Sequence, residues 1–295
     1  MYQWYLRNWL RNAATEKLRE TVAAAAEEAA QEAPPEKPTR PCDVGLVFAL
    51  EIESGGLEDL LDGLISTQGP GFVACQGGLK GRHVVVIRSS AGRQAASQAT
   101  EALIQGHRPR WVISAGFAGA LCPELCRHSL VMADSLVDTQ GHRLSIDLGA
   151  APAALAQTPG VHVGRLLTTD KMVCLPEEKR ALGQQYDALA VDMESFAVAE
   201  VCQQAGIGFL AIRIISDPVD EQLPRDVERL IGQKTPAARL GAALGTIFNR
   251  PSSLKDMLRL KENALVASDR LAKFLASTIQ QLVPLPPVDR KRDSA

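Results

Sequence analysis

Three carboxylates stand where apolar runs stop. Asp192 and Glu194 follow the run 188–191, with Met193 between them, and Asp217 follows the run 209–215 and Ser216. A carboxyl group at the end of a buried strand can give or take a proton. Ligands of open α/β sheets bind at the carboxyl ends of strands. Each acid taken singly has a plainer reading. Asp192 would cap a helix, and Asp217 would open a turn before Pro218. Three acids at successive strand ends make capping alone a less adequate account.

The elements that must position these groups are legible around them. Phe196, Ala199 and Cys202 recur at helical spacing, and Gly206 and Gly208 close that helix. The apolar run that follows suits a strand buried on both faces. Residues 43–49 read as a first strand, leading through Leu50, Glu51, Ile52 and Glu53 into a helix expected to reach Leu64. Acids at a helix start are ordinary, because they complement its dipole. Residues 82–88 read as a strand, and Ser89 to Arg93 as a small-residue loop before a helix over 94–105. Such a loop lets backbone N–H groups approach an anion or a sugar, though a plain tight turn has the same composition.

Residues 110–115 read as another strand, followed by a turn, Gly116-Phe117-Ala118-Gly119. This GxxG is not the GxGxxG of dinucleotide folds. Residues 129–137 and 161–169 read as strands, 138–147 as a loop with a solvated His142, and Leu175-Pro176 as the start of a helix. Strands alternate with helices through about 43–249, which makes the core α/β.

The VDMES run (191–195), followed by a helix, a strand and Ile215-Ser216-Asp217, resembles the purine nucleoside phosphorylase / methylthioadenosine–adenosylhomocysteine nucleosidase superfamily. The resemblance implies a three-layer α/β/α sandwich with a mixed, partly barrel-like central sheet. It implies cleavage of the N-glycosidic bond of an adenosyl-type purine nucleoside. Met193 would then pack on the ribose, Glu194 would accept its hydroxyls, and Asp217 would protonate N7 of the leaving base. Glu53 matches the position that activates water. Met172, with Val173 beside it, matches the place where nucleosidases stack an aromatic residue on the base. Ser90, Gly92 and Arg93 fall in a loop that faces the ribose or phosphate.

The glycine turn departs from the family pattern. Phe117 stands where the family has Ser, and Ser114 where bacterial purine phosphorylases have Arg, so the usual phosphate ligands are missing. Arg88 and Arg93 remain as anion ligands, and phosphate as a possible co-substrate. No metal or organic cofactor is implied. Phe117, the Asp-x-x-Gly-His-Arg loop at 138–143 and the long C-terminal helix lean toward the hopanoid-associated phosphorylase branch, which implies phosphorolysis of adenosylhopane as an alternative. A non-catalytic nucleoside-binding protein is the alternative of another class. Retention of Glu53, Glu194 and Asp217 together argues against it.

The rest of the chain bounds the reading. Of 295 residues 46% are hydrophobic, enough for a sizeable core, and a net charge of −2 leaves no electrostatic footprint for nucleic acid. No apolar run approaches the length of a membrane span. Six scattered cysteines read as buried free thiols of a cytoplasmic protein. Cys122 and Cys126 lack the second pair that a zinc site needs. Residues 1–33 read as an amphipathic helix rich in Trp and Tyr, suited to packing on its own domain, to a subunit contact in a homo-oligomer or to peripheral membrane contact. Residues 34–41 read as a Pro-rich linker, 42–250 as the catalytic domain, 251–283 as a C-terminal helix, and 284–295 as a disordered tail.

Overall fold

The computed structural model describes residues 41–149, 158–223 and 253–285. The expected N-terminal helix, most of the linker, the helical region expected after Pro224 and most of the tail lie outside the described residues. Strand β1 (Val44–Phe48) reads VGLVF and is buried throughout. A strand with helices on both faces must be apolar at every position, because both pleats meet a packed layer. β1 pairs in parallel with β4 (Arg82–Arg88) on one side and β5 (Trp111–Ala120) on the other. Beyond β4 the sheet continues antiparallel through β3 (Phe72–Leu79) to β2 (Asp62–Gly69), whose side chains are mostly exposed.

On its other side β5 pairs in parallel with β10 (Gly208–Asp217) and antiparallel with β9 (Ala190–Asp192). β10 pairs with β6 (Leu130–Asp138), β6 with β8 (Val161–Thr168), and β8 with β9. These five strands close a ring, so part of the mixed sheet is a barrel and the rest is open. A short β7 (Arg143–Ser145) pairs with β6 inside the expected 138–147 loop.

Neighbouring residues of β1 serve opposite layers, as the strand period requires. Leu46 packs with Leu57 of α1 (Glu51–Glu58) and with Leu271, Leu275 and Ile279 of α5 (Ser253–Leu282). Val47 packs instead with Ala96, Ala99 and Leu103 of α2 (Arg93–His107) and with Val198 and Cys202 of α4 (Ser195–Ala205). Helices therefore cover both faces of the sheet, as expected. α3 (Pro176–Tyr186) contributes Leu182 and Tyr186 to a smaller cluster around Leu167 and Val191. The long C-terminal helix is part of the main core: Leu271, Leu275 and Ile279 are fully buried.

Two expectations need correction. The helix after Glu53 ends at Glu58, six residues before Leu64, and a β-hairpin occupies 62–79. Gly63 has φ of +64°, a conformation that ends rather than extends a helix, and Gly71 has φ of +85° in the hairpin turn. The Gly116–Gly119 segment is no turn. It lies inside β5, paired residue for residue with β10 as far as Ala118. Glycine inside a strand marks a place where another group comes close to the backbone, and here those groups are carboxylates.

Candidate active site

A cavity of about 300 Å³ opens at the carboxyl ends of β1, β5, β8, β9 and β10. The strands deliver their functional side chains near or beyond their carboxyl ends, where the chain leaves the sheet and the next element has yet to cover it. Glu53, Phe117, Met172, Val173, Met193, Glu194 and Asp217 all line this cavity. α5 closes one wall with Asn263, Ala264 and Ala267.

Glu53 sits in the first turn of α1 but is only 6% exposed. Its Oε2 accepts the N–H groups of Leu50 (2.8 Å) and Ala49 (3.1 Å), and its Oε1 accepts that of Phe117 (2.9 Å). It thus caps the helix and faces the cavity at once. Burial raises its pKa, and the three backbone N–H groups and the Arg213 guanidinium pull it back. Glu194 precedes α4 and accepts the Gly92 N–H at 2.8 Å through Oε1. Burial, with the neighbouring Asp192 carboxylate, pushes its pKa up to about 8.

Asp217 ends β10 and is 3% exposed. Ser216 Oγ lies 2.6 Å from its Oδ1, and Lys179 Nζ lies 2.5 Å from its Oδ2. Burial drives the Asp217 pKa up, against the pull of the Lys179 ammonium. Behind the acids lies a buried network. Arg213 donates to Asp192 Oδ2 (Nε, 2.8 Å), Ser114 Oγ (2.8 Å) and Ser195 Oγ (2.9 Å), while Thr168 Oγ1 donates to Asp192 Oδ1 at 2.7 Å. Asp192 also accepts the Ser195 N–H at 3.1 Å, from a place two residues before the N-cap, Glu194, so it holds the first helical N–H without being the cap itself. Its second role, neutralising Arg213, holds β9 and β10 together beneath Glu194.

Three expected site residues lie outside the cavity wall. Ser90 and Gly92 flank Ala91, which does line it, and Gly92 acts through its N–H on Glu194. Arg93 turns toward Asp138 (3.5 Å), Asp170 (3.8 Å) and Glu200 (4.0 Å), and stacks over the Phe196 ring. Arg88 pairs with Glu51 and Glu58. Both arginines therefore already face carboxylates. His142 is exposed, as expected, but its Nδ1 meets Asp138 Oδ2 at 3.0 Å.

Two residues that sequence reasoning missed are Arg213 and Lys179. Arg213 carried a signal: it is the lone charge within an apolar strand, and a buried charge demands a partner. Lys179 carried none, because Pro-Glu-Glu-Lys-Arg reads as a solvated helix start.

The phosphorylase superfamily model matches residues 43–244. The 5'-methylthioadenosine/S-adenosylhomocysteine nucleosidase of Shewanella halifaxensis is 29% identical over 210 residues, 64% of this chain and 91% of that protein. That of Shewanella sp. strain W3-18-1 is 30% identical over the same shares. Among solved structures, the S. pneumoniae nucleosidase with a transition-state inhibitor superposes with a TM-score of 0.64 at 19% identity, covering 82% of this chain and all of that one. The Helicobacter pylori futalosine hydrolase gives 0.62 at 21% identity, covering 81% of this chain and 97% of that one. The family model spans well over half of the chain, and the chain belongs to the phosphorylase superfamily.

Proposed function

We propose that this chain hydrolyses the N-glycosidic bond of an adenosyl-type purine nucleoside and releases adenine. The relatives that bear the nucleosidase name support the reaction class. The observation that carries water as nucleophile is a second, small cavity beside the first. It measures about 10 Å³ and is walled by Glu53, Glu194 and Arg213 among others. That is room for one water molecule with several polar partners. It is far too small for phosphate, and Arg88 and Arg93 are already engaged by carboxylates.

The purine lies toward Met172, Val173 and Asp217, and the ribose toward Met193 and Glu194. As the bond between C1′ and N9 breaks, its electron pair passes into the purine and N7 takes the proton of Asp217. Positive charge grows on the sugar, opposed by the nearby carboxylates. Water attacks C1′ and Glu53 takes its proton. Exchange with solvent then returns a proton to Asp217 and removes one from Glu53. General acid and general base help of this kind is worth roughly 10²–10⁴-fold each. The helix expected over residues 1–33 is assigned a subunit or membrane-surface contact. Its removal should leave turnover of soluble nucleosides unchanged.

The test supplies methylthioadenosine with and without phosphate and identifies the sugar product. A free ribose derivative, formed at a rate independent of phosphate and lost in Glu53→Gln, supports hydrolysis. A ribose-1-phosphate product with strict phosphate dependence would overturn it and favour phosphorolysis. Tight binding without turnover of any adenosyl nucleoside would leave the chain a nucleoside-binding protein.

A further inference from the structure

Lys179 is fully buried in the first turn of α3, yet it does not line the cavity. Its Nζ meets three acceptors: Asp217 Oδ2 (2.5 Å), the Pro218 carbonyl (3.0 Å) and the Glu221 carbonyl (2.8 Å). An ammonium has three protons to give, so this one is saturated. A buried lysine is expensive, and a helix start rich in Glu177 and Glu178 offered it an easier place in solvent. The fold instead spends it on one carboxylate oxygen and on the two carbonyls that shape the chain just after that carboxylate.

The other oxygen has a different neighbour. Ser216 Oγ lies 2.6 Å from Asp217 Oδ1 and 3.2 Å from the Ala118 carbonyl. A hydroxyl has one proton. With Asp217 ionised, two acceptors compete for it. With a proton on Oδ1, both contacts are met: Oδ1–H donates to Ser216 Oγ, and Ser216 donates to the Ala118 carbonyl. Oδ2 is the poorer place for that proton, because the Lys179 ammonium donates to it and favours an unprotonated oxygen there. Ser216 and Asp217 both line the cavity, so the pair that shares the Oδ1 proton stands beside the space a bound base would fill.

We propose that Lys179 is the positioning residue of the general acid: by occupying Oδ2 it directs the reactive proton of Asp217 to Oδ1, and it fixes the 218–221 segment that aims the carboxyl into the cavity. This rests on the reading of Asp217 as the acid that protonates the leaving purine. Lys179 favours the ionised form of Asp217, so it also helps the acid release its proton as the bond breaks. The charged groups facing Asp217 are Lys179 from α3 and Glu221 from the segment after β10. Arg127, from the loop between β5 and β6, neutralises Glu221 and also donates to the Ser216 carbonyl. Loss of the ammonium would therefore raise the Asp217 pKa further.

The experiment compares two leaving groups in the full chain. Methylthioadenosine needs a proton at N7, whereas 4-nitrophenyl riboside leaves as a stable anion and needs none. Lys179→Met is expected to lower kcat on methylthioadenosine by about tenfold or more, to keep turnover of the nitrophenyl riboside, and to move the basic limb of its pH profile upward. Equal loss on both substrates, or no loss on methylthioadenosine, overturns the proposal. Should Lys179→Met fail to fold, Ser216→Ala removes the acceptor of the Oδ1 proton without emptying the core. The same dependence on leaving group is expected of it, and an equal loss on both substrates, or no loss on methylthioadenosine, overturns the assignment of the proton to Oδ1. Asp217→Asn separates the two levels of argument. If it keeps full adenine release, the general-acid reading itself fails. If it loses adenine release while the Lys179 and Ser216 variants do not, only the positioning proposal fails.

Discussion

Gly116 passes so close to Glu53 that a Cβ added there would lie 2.8 Å from Oε1. Three residues on, a Cβ at Gly119 would lie 3.1 Å from Asp217 Oδ2. The two glycines of one strand thus make room for the two carboxylates assigned to base and acid. This explains why β5 tolerates two residues that weaken a strand.

Gly116→Ala should displace Glu53. Gly116 has φ of +156°, so alanine there meets backbone strain as well as the carboxylate. Strain of this kind costs of order 1–3 kcal/mol. Turnover should fall by about tenfold or more through loss of the general base, with a modest drop in Tm. Kinetics and thermal melts check both, and an unchanged kcat would mean that Glu53 has no part in the chemistry.

Asp217→Asn should lose roughly 10²–10⁴-fold in adenine release, since an amide has no proton to give N7. At pH values where Asp217 is ionised it should also lose stability, because Lys179 is then left buried without its counter-charge, a situation that costs about 3–5 kcal/mol. The double variant with Lys179→Met should regain part of that stability without regaining activity. Chemical denaturation of the single and double variants measures the coupling.

Glu194 gives a pH prediction with a definite sign. Its folded pKa, about 8, lies above its ordinary value of 4.5. Between those values the folded state holds a proton that the unfolded chain has released. Stability from this group is therefore fully present below about pH 4.5 and is lost as pH rises toward 8. Glu194→Gln removes the effect, so native and variant stabilities should converge at low pH and the variant should gain relative to the native chain as pH rises to 8. Above about pH 8, where Glu194 is ionised, the same variant should weaken discrimination between ribo and 2′-deoxy substrates, because a carboxylate makes stronger hydrogen bonds to hydroxyls than an amide does.

Leu275→Ala tests the place of α5 in the core. The side chain is fully buried in the cluster that holds Leu46 and Leu57. Truncation should cost about 2–5 kcal/mol. Nucleoside KM should change little, since Leu275 does not line the cavity. Wild-type stability in this variant would place the C-terminal helix outside the folding unit.

Much of the fold was legible because periodicity and composition report local environment. VGLVF and the run before Ser216 could only be strands packed on both faces, and Gly206 closes α4 with a left-handed residue at φ of +65°. The acids at strand ends were legible for the same reason, since a carboxylate ending an apolar run has nowhere to go but the rim of the sheet. The 62–79 hairpin was not foreseen. Its strand β2 is exposed on both faces, so it lacks an apolar alternation to announce it.

By itself, then, the sequence determined most of the strands and helices around the site, and which acids stand at their ends, because those are local properties of hydrophobic spacing and chain direction. Only the tertiary structure decided the partnerships. It kept the GxxG segment extended beside Glu53 and Asp217, turned Arg93 toward Asp138, and brought Lys179 to the acid across 38 residues of chain. A buried charge is stabilised by whichever opposite charge the packed elements bring within about 3–4 Å, and that distance is set by how strands and helices stack, which no local pattern encodes.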